Sequence, residues 1–174
     1  RIYVGGFSAG GVLAAHLAFC YPDVFSGVLI HSGAPYKALK TLYVPHAKEK
    51  LGKYAYECAR IPSGENKLKN VVVFHGTNDH IAPFVEGYNS VKQAYDYFDI
   101  LDDQSKNSST YLSSTERADG FDVYLKNDIQ IHYFAIHGMK HAWSGSAPGM
   151  RFSSPDTLSA TQRFFDLTNH FGKN

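Results

Sequence analysis

The sequence predicts an α/β layered fold built on a mostly parallel sheet. Two runs, 27–30 and 71–74, are continuously apolar, which is typical of strands that are covered on both faces. Helical patterns alternate with the strands along the chain, and this alternation indicates helices packed against a parallel sheet. With 174 residues, 44% of them apolar, the chain has the size of one domain with a sizeable core. We therefore interpret residues 1–174 as a single domain.

The first half of the chain supplies most of the regular pattern. Residues 2–4 predict a short buried strand, and residues 12–19 predict a helix rich in small side chains. Pro22 ends that helix, because proline cannot continue the helical hydrogen bonds. A further helix is predicted over 83–98, where apolar residues recur on one face. Between these elements, residues 37–70 are rich in Lys and Tyr and show no clear strand.

The second half begins with a polar segment. Over 99–121 the composition shifts to Asp, Ser, Asn and Thr, and we expect an exposed loop that could carry an edge strand near Tyr111. The pattern then alternates on both sides of residues 127–128, which predicts a hairpin. The last helix is predicted to begin near Ser154, a capping residue followed by proline, and to run toward His170.

Charge and cysteine content exclude several classes of protein. Lys plus Arg is 17 and Asp plus Glu is 16, so the formal net charge is +1. This balance gives no electrostatic footprint for nucleic acid or for an anionic membrane, and the longest apolar runs are far too short to span a bilayer. Cys20 and Cys58 are too few for a disulfide scaffold or a zinc site of four thiolates. The sequence leaves open whether a single disulfide bridge joins these two cysteines.

The first chemical signal is a serine in a tight turn. Residues 6–10, Gly-Phe-Ser-Ala-Gly, match the G-x-S-x-G nucleophile elbow, with an apolar strand before the turn and an apolar helix after it. This context projects the hydroxyl of Ser8 away from the sheet, and the backbone N–H of Ala9 can serve as one oxyanion donor. The alternative is an ordinary Gly/Ser-rich turn between two elements.

A serine nucleophile needs a base, and the base needs an acid that orients it. The candidate acid is Asp79, which lies just past a buried strand, at the edge where functional groups gather in open α/β sheets; the alternative is a turn aspartate that caps the following helix. The candidate base is His141, in a Gly-rich loop that also holds the only tryptophan. The order Ser, Asp, His is the one that this elbow requires.

The other histidines near these residues have simpler interpretations than a role in catalysis. His75 directly follows a strand end and is expected to be structural, and His80 is expected to be solvated or to lie at the rim of a pocket. His137 and His141 are four residues apart, a spacing that binds metal on a helix face. Gly138 makes a helix there improbable, so we expect no metal site and no cofactor.

Five ordered segments carry a resemblance to a known family. They are Gly-Phe-Ser-Ala-Gly-Gly at 6–11, Tyr-Pro-Asp-Val-Phe at 21–25, Ser-Gly-Ala-Pro-Tyr at 32–36, His-Gly-Thr-Asn-Asp at 75–79 and Gly-Met-Lys-His-Ala-Trp at 138–143. Together they resemble the poly(3-hydroxybutyrate) depolymerase family of esterases, which includes feruloyl and acetylxylan esterases. The resemblance implies an α/β-hydrolase fold with helices on both faces of the sheet. It also implies that Ser8, Asp79 and His141 form a catalytic triad and that Trp143 lines the active site, where we also place Phe7 as a substrate contact.

The resemblance sets the expected function. We expect a serine carboxylic ester hydrolase acting on poly(3-hydroxybutyrate) or its oligomers, with feruloyl or acetylxylan esterase activity as the alternative. Residues 37–70 are the place for a cap that faces the substrate, and an ordinary surface excursion is the alternative for that segment. Because polymeric esters do not enter cells, the expected location is secreted or periplasmic.

The sequence departs from the resemblance at its beginning. Only one short strand precedes the elbow, whereas a complete α/β-hydrolase has several, and a loop there donates the second oxyanion N–H. We therefore expect this chain to be the C-terminal half of an enzyme whose N-terminal half is its partner. The alternative of a different class is a non-catalytic fragment that is inactive without that half.

Overall fold

In the computed structural model, which describes residues 1–38, 47–59 and 65–169, six strands form the main sheet. Their order is β1-β2-β3-β6-β5-β4, and two further short strands, β7 and β8, pair separately. The strands are β1 (Tyr3–Phe7), β2 (Gly27–His31), β3 (Asn70–Gly76), β4 (Tyr111–Arg117), β5 (Gly120–Leu125), β6 (Ile129–Ile136), β7 (Trp143–Ser144) and β8 (Ser153–Ser154).

The predicted parallel sheet is confirmed for four strands. β1, β2, β3 and β6 are parallel neighbours, so their carboxyl ends lie at one edge of the sheet. β5 and β4 continue the sheet antiparallel. The predicted hairpin between β5 and β6 turns at Asn127 and Asp128, whose φ angles of 58° and 59° are those that a tight two-residue hairpin turn requires.

Helices cover both faces of the sheet, as predicted. The described helices are α1 (Ala9–Cys20), α2 (Leu51–Cys58), α3 (Val85–Asp103) and α4 (Ala160–Asn169), with a short 3-10 helix at Ala47–Lys50. Val28 and Val71 point into a core with α1, α2 and α3, while Leu29 and Val72 point into a second core with α4. This period of two is what a strand buried on both faces requires. Within the described ranges, no helix combines the length and the apolar character needed to cross a membrane.

Two sequence predictions in the second half are wrong in part. The segment 99–121 does not begin as a loop, because α3 continues to Asp103. The edge strand predicted near Tyr111 is found as the exposed strand β4. The carboxylate of Asp99 accepts hydrogen bonds from the backbone N–H groups of Asn107 and Ser108 at 2.8 and 2.7 Å, so polar residues order the intervening turn. The last helix begins at Ala160 rather than near Ser154, because Ser154 pairs in β8.

The segment proposed as a cap is described only in part. Residues 39–46 and 60–64 lie outside the described residues. The described remainder contains α2, an element that the sequence pattern did not indicate. The side chain of Gln93 on α3 fixes its start by donating a hydrogen bond to the carbonyl of Leu51 at 3.0 Å. The role of the segment as a cap stays a prediction.

A disulfide joins Cys20 and Cys58 and resolves the question that the sequence left open. Their Cα atoms are 4.8 Å apart, which lies within the usual range for a bridge. Cys20 ends α1 and Cys58 ends α2. The helix that follows Ser8 is therefore covalently tied to α2.

Candidate active site

The candidate site is built around the turn from β1 into α1. β1 ends at Phe7 and α1 begins at Ala9, so Ser8 alone makes the turn, with φ 56° and ψ −122°. A non-glycine residue rarely adopts such a conformation, and strain of this kind is typical of a nucleophile elbow. A Cβ atom on Gly6 would lie 2.1 Å from the carbonyl oxygen of Gly10. The sharp turn therefore requires glycine at position 6.

The structure brings Ser8, His141 and Asp79 into one chain of contacts. Nε2 of His141 lies 2.9 Å from Oγ of Ser8, and Nδ1 of His141 lies 2.8 Å from Oδ2 of Asp79. Both distances are those of hydrogen bonds. The three residues come from the ends of β1, β3 and the loop after β6, which share one edge of the sheet because those strands are parallel.

The contacts fix the direction of each hydrogen bond. A carboxylate can only accept, so Nδ1 of His141 carries the proton and donates it to Asp79. In the neutral ring Nε2 is then free to accept the hydroxyl proton of Ser8. His141 is buried, and its ring packs on Phe7 with a centroid distance of 4.7 Å, so this contact also holds the orientation of the ring.

Asp79 holds the turn after β3 and contacts His141, but it does not cap the following helix, because α3 begins at Val85 without a side-chain cap. Oδ1 accepts hydrogen bonds from the backbone N–H groups of Ile81 and Ala82 at 3.0 and 2.9 Å, as expected of a turn aspartate. Oδ2 is left for His141. His75 also lies close, with Nε2 3.7 Å from Oδ2 of Asp79, but its ring donates to the carbonyl of Ala82 at 2.8 Å. Burial lowers the pKa of His75, and a buried neutral ring of this kind fits the predicted structural role.

His31 is a component of the site that sequence reasoning missed. The backbone N–H of Ser144 donates to its Nε2 at 3.0 Å, so the proton of the neutral ring sits on Nδ1, 3.1 Å from Oγ of Ser32. The ring stacks on Trp143 at a centroid distance of 4.7 Å and an angle of 22°. His31 thereby ties the end of β2 to the loop that carries His141. Its place at the carboxyl end of a parallel strand was the available signal.

Burial keeps His31 uncharged. The side chain is fully buried, and this desolvation, followed by the nearby His75 and His141, lowers the pKa of His31 to about 3. A ring that remains neutral can accept from Ser144 at any pH at which an ester hydrolase would work. In the folded protein His31 is thus a neutral, fixed support at such pH values.

Phe7 and Trp143 lie beside the site. Phe7 contacts the rings of His141, Trp143 and Phe152, and Trp143 is half-buried against His31. Neither residue lines the two cavities described next. Their predicted contact with substrate stays a prediction.

Two cavities flank the Ser8–His141 pair. The first, here the Ser8 cavity, has a volume of about 410 Å³ and is bordered by Ser8 and Ala9, with an aliphatic lining from Val12, Ala34, Ala38, Ile81, Ala82 and Pro83. The second, here the His141 cavity, has a volume of about 390 Å³ and is bordered by His141, Lys140 and Phe152. Ile81 borders both cavities, so they are neighbours.

Comparisons with known proteins place this geometry in a wider context. No protein-family model matches the sequence. Over 113 residues the chain is 30% identical to poly(3-hydroxyalkanoate) depolymerase C of Paucimonas lemoignei, a match that covers 58% of the chain and 26% of that protein. The chain therefore spans about a quarter of the length of this curated relative. The resemblance to poly(3-hydroxybutyrate) depolymerases is confirmed.

Solved structures agree on the fold. The poly(3-hydroxybutyrate) depolymerase of Penicillium funiculosum superposes with a TM-score of 0.54 at 18% identity, over 91% of this chain and 46% of that chain. A depolymerase structure in complex with a 3-hydroxybutyrate trimer gives the same values. The chain has part of the α/β-hydrolase fold. In an α/β-hydrolase the elbow serine stands at the top of the sheet, where Ser8 is found here.

Proposed function

We propose that this chain carries the catalytic site of a serine carboxylic ester hydrolase, with Ser8 as nucleophile, His141 as base and Asp79 as the acid that orients it. The observation that carries the proposal is the unbroken contact chain from Asp79 through His141 to Ser8, at 2.8 and 2.9 Å. An isolated serine is a weak nucleophile, and such a chain is the arrangement that activates it.

The proposed reaction has two halves. Oγ of Ser8 attacks the acyl carbon while Nε2 of His141 takes its proton, and the charged ring is stabilised by the carboxylate of Asp79. His141 then returns the proton to the leaving alcohol, which departs and leaves an acyl-enzyme. Water, deprotonated by the same nitrogen, attacks the acyl-enzyme and releases the acid.

The negative charge on the carbonyl oxygen needs donors. Ala9 is the first residue of α1, so its N–H has no acceptor within the helix and the positive end of the helix dipole adds to it. We propose Ala9 as one oxyanion donor. The second donor, expected from a segment before β1, stays a prediction.

The Ser8 cavity favours a short aliphatic acyl group. Its lining beside Ser8 is small and aliphatic, which suits a branched four-carbon unit. The curated relative is by name a depolymerase of hydroxyalkanoate polyesters, and this likeness supports the same class of substrate. We propose poly(3-hydroxybutyrate) or its oligomers as the substrate.

The disulfide supports a location outside the cytoplasm. Bridges such as Cys20–Cys58 form and persist in oxidising compartments. We propose that the protein is secreted or periplasmic, where a polymeric ester would be met.

A nucleophile test decides the proposal. The complete protein is treated with a fluorophosphonate probe and assayed on p-nitrophenyl butyrate, alongside Ser8→Ala and Ser105→Ala. Ser105 is an exposed serine on the turn after α3, and its variant should keep both labelling and rate. We expect Ser8→Ala to lose both; labelling that survives in Ser8→Ala would show that another serine reacts.

The substrate class needs its own assay. Poly(3-hydroxybutyrate) films, feruloyl esters and acetylated xylan are offered to the same preparation, and released acids are measured by chromatography. We expect release of 3-hydroxybutyrate from the polyester at the highest rate per enzyme. Faster release of ferulate or acetate would replace the polyester with a plant cell-wall ester as the substrate.

A further inference from the structure

The two cavities beside the Ser8–His141 pair differ in the catalytic groups that they contact. The Ser8 cavity is bordered by the hydroxyl that forms the acyl-enzyme and by Ala9. The His141 cavity is bordered by the imidazole and not by Ser8. If the proposed function holds, the two cavities correspond to the two halves of an ester substrate.

The reaction assigns each half to a cavity. The acyl group stays bound to Oγ of Ser8 after the ester bond breaks, so it occupies the Ser8 cavity. The leaving alcohol takes its proton from Nε2 of His141, so it must lie on the imidazole side. The His141 cavity is therefore the leaving-group side of the site.

The two cavities also differ in charge. The only charged side chain among the described residues lining the Ser8 cavity is acidic, Glu86. The described lining of the His141 cavity includes Lys140 and His80 together with the polar side chains of Asn78 and Ser153, and it includes no acid. Lys140 is exposed and forms no ion pair or hydrogen bond with any residue in the described part of the chain. Its ammonium group is available to a ligand.

A polyester of a hydroxy acid has a direction that matches this difference. The acyl side of each ester bond leads toward the hydroxyl end of the chain, which is neutral. The alcohol side leads toward the carboxyl end, which is an anion at neutral pH. Cleavage of the ester bond nearest the carboxyl end therefore places a carboxylate in the leaving group.

We propose that the His141 cavity binds the terminal carboxylate of a short oligoester through Lys140, so that hydrolysis proceeds from the carboxyl end. This proposal rests on the ester hydrolase function proposed above and adds the direction in which the substrate lies. Oγ of Ser8 forms a bond to the acyl carbon, the bond from that carbon to the alcohol oxygen breaks, and His141 protonates that oxygen. The released molecule is a hydroxy acid that carries the carboxylate held by Lys140. Water then frees the shortened oligomer from Ser8.

The test compares two substrates that differ at the carboxyl end, which is an anion in one and neutral in the other. The complete protein is given the 3-hydroxybutyrate trimer as the free acid and as its methyl ester. Cleavage of the last ester bond between two hydroxybutyrate units, not of the methyl ester, is followed by chromatography of the products. The measured quantity is the ratio of kcat/KM for the free acid to kcat/KM for the methyl ester. A ratio cancels any general effect of a substitution on the neighbouring His141.

Three variants isolate the charge of Lys140. Lys140→Gln should lower the ratio about two- to fivefold, the range of an exposed ion pair, and Lys140→Arg should keep it. Lys67→Gln is the matched control, because Lys67 is exposed at the opposite end of the sheet, before β3, and this variant should keep the wild-type ratio. Added salt should lower the wild-type ratio toward that of Lys140→Gln, since salt screens exposed charges.

The possible results separate the two proposals. An unchanged ratio in Lys140→Gln, with both trimers hydrolysed, overturns the role of Lys140 and leaves the ester hydrolase function standing. A wild-type ratio of one, with no response to salt, also overturns it. Failure to hydrolyse p-nitrophenyl butyrate or either trimer overturns the proposed function itself, and with it the direction of binding.

Discussion

The carboxylate of Asp79 divides its two oxygens between the backbone and His141. Oδ1 accepts from two turn N–H groups at 3.0 and 2.9 Å, while Oδ2 accepts from Nδ1 of His141 at 2.8 Å. The turn after β3 thus fixes the carboxylate, and the carboxylate fixes the imidazole. The two tasks can be separated by substitution.

Asp79→Asn is expected to lower turnover of p-nitrophenyl butyrate about 10⁴-fold while the protein stays folded. The amide oxygen still accepts from the N–H groups of Ile81 and Ala82, so the turn is kept. The amide nitrogen then faces His141 and favours the wrong tautomer, which removes the base. Thermal unfolding and kcat are measured together, with Asp128→Asn on the exposed hairpin turn as control. A rate near that of the wild type would mean that another acid orients His141.

Gly6→Ala and Gly10→Ala are expected to have opposite effects on stability. A Cβ on Gly6 would meet the carbonyl of Gly10 at 2.1 Å, whereas a Cβ on Gly10 meets nothing within 4 Å in the described structure. Gly6→Ala should therefore yield little folded protein. Gly10→Ala, inside α1, should raise the free energy of unfolding by up to about 1 kcal/mol, because alanine favours the helix. Urea unfolding and soluble yield distinguish the two, and equal tolerance at both positions would contradict the elbow geometry.

His31 is expected to make stability depend on pH on the acid side. Burial lowers its pKa in the folded protein to about 3, against about 6.5 in the unfolded chain. Between these values only the unfolded chain binds the proton, so the free energy of unfolding falls as pH falls from about 6.5 toward 3. Above pH 6.5 this contribution is fully present.

The measurement is urea unfolding of the complete protein from pH 7 to pH 4. His31→Gln removes the titrating ring and should flatten the dependence, although part of it remains because the pKa of the buried His75 is also lowered. His137→Gln, at an exposed position, should keep the wild-type slope. Identical slopes in the wild type and His31→Gln would show that His31 is not held neutral.

Loss of the Cys20–Cys58 bridge is expected to cost about 4 kcal/mol of unfolding free energy, from the entropy of closing a loop with a sequence separation of 38. The complete protein is unfolded in urea with and without dithiothreitol, next to the double variant Cys20→Ala/Cys58→Ala. Reductant should lower the stability of the wild type and leave that of the double variant unchanged. No effect of reductant on the wild type would show that the bridge does not form.

The parallel strands and the elbow could be predicted because their signals are local. A short, continuously apolar run such as 71–74 is typical of a strand that is buried on both faces. Asp79 and His141 were then chosen from the order Ser, Asp, His that the elbow requires, and the structure places His141 within hydrogen-bond distance of both Asp79 and Ser8.

The elements that were missed depend on contacts distant in sequence. α2 is a short helix whose first carbonyl is held by Gln93 on α3, and no local pattern contains that contact. α4 begins later in the chain than predicted, because Ser154 pairs with Ser144 across the β7–β8 ladder. His31 directly follows the predicted strand 27–30, and its bond to Ser144, 113 positions away, reveals its place in the site.

The stacking of Trp143 on His31 has a practical consequence for experiments. Trp143 is the single tryptophan of these 174 residues, and it lies two positions after His141 with its ring 4.7 Å from the imidazole of His31. Its fluorescence therefore originates from the loop that carries the base. A change in emission that precedes the loss of helical circular dichroism would record the opening of this loop before the sheet unfolds, without any label attached to the protein.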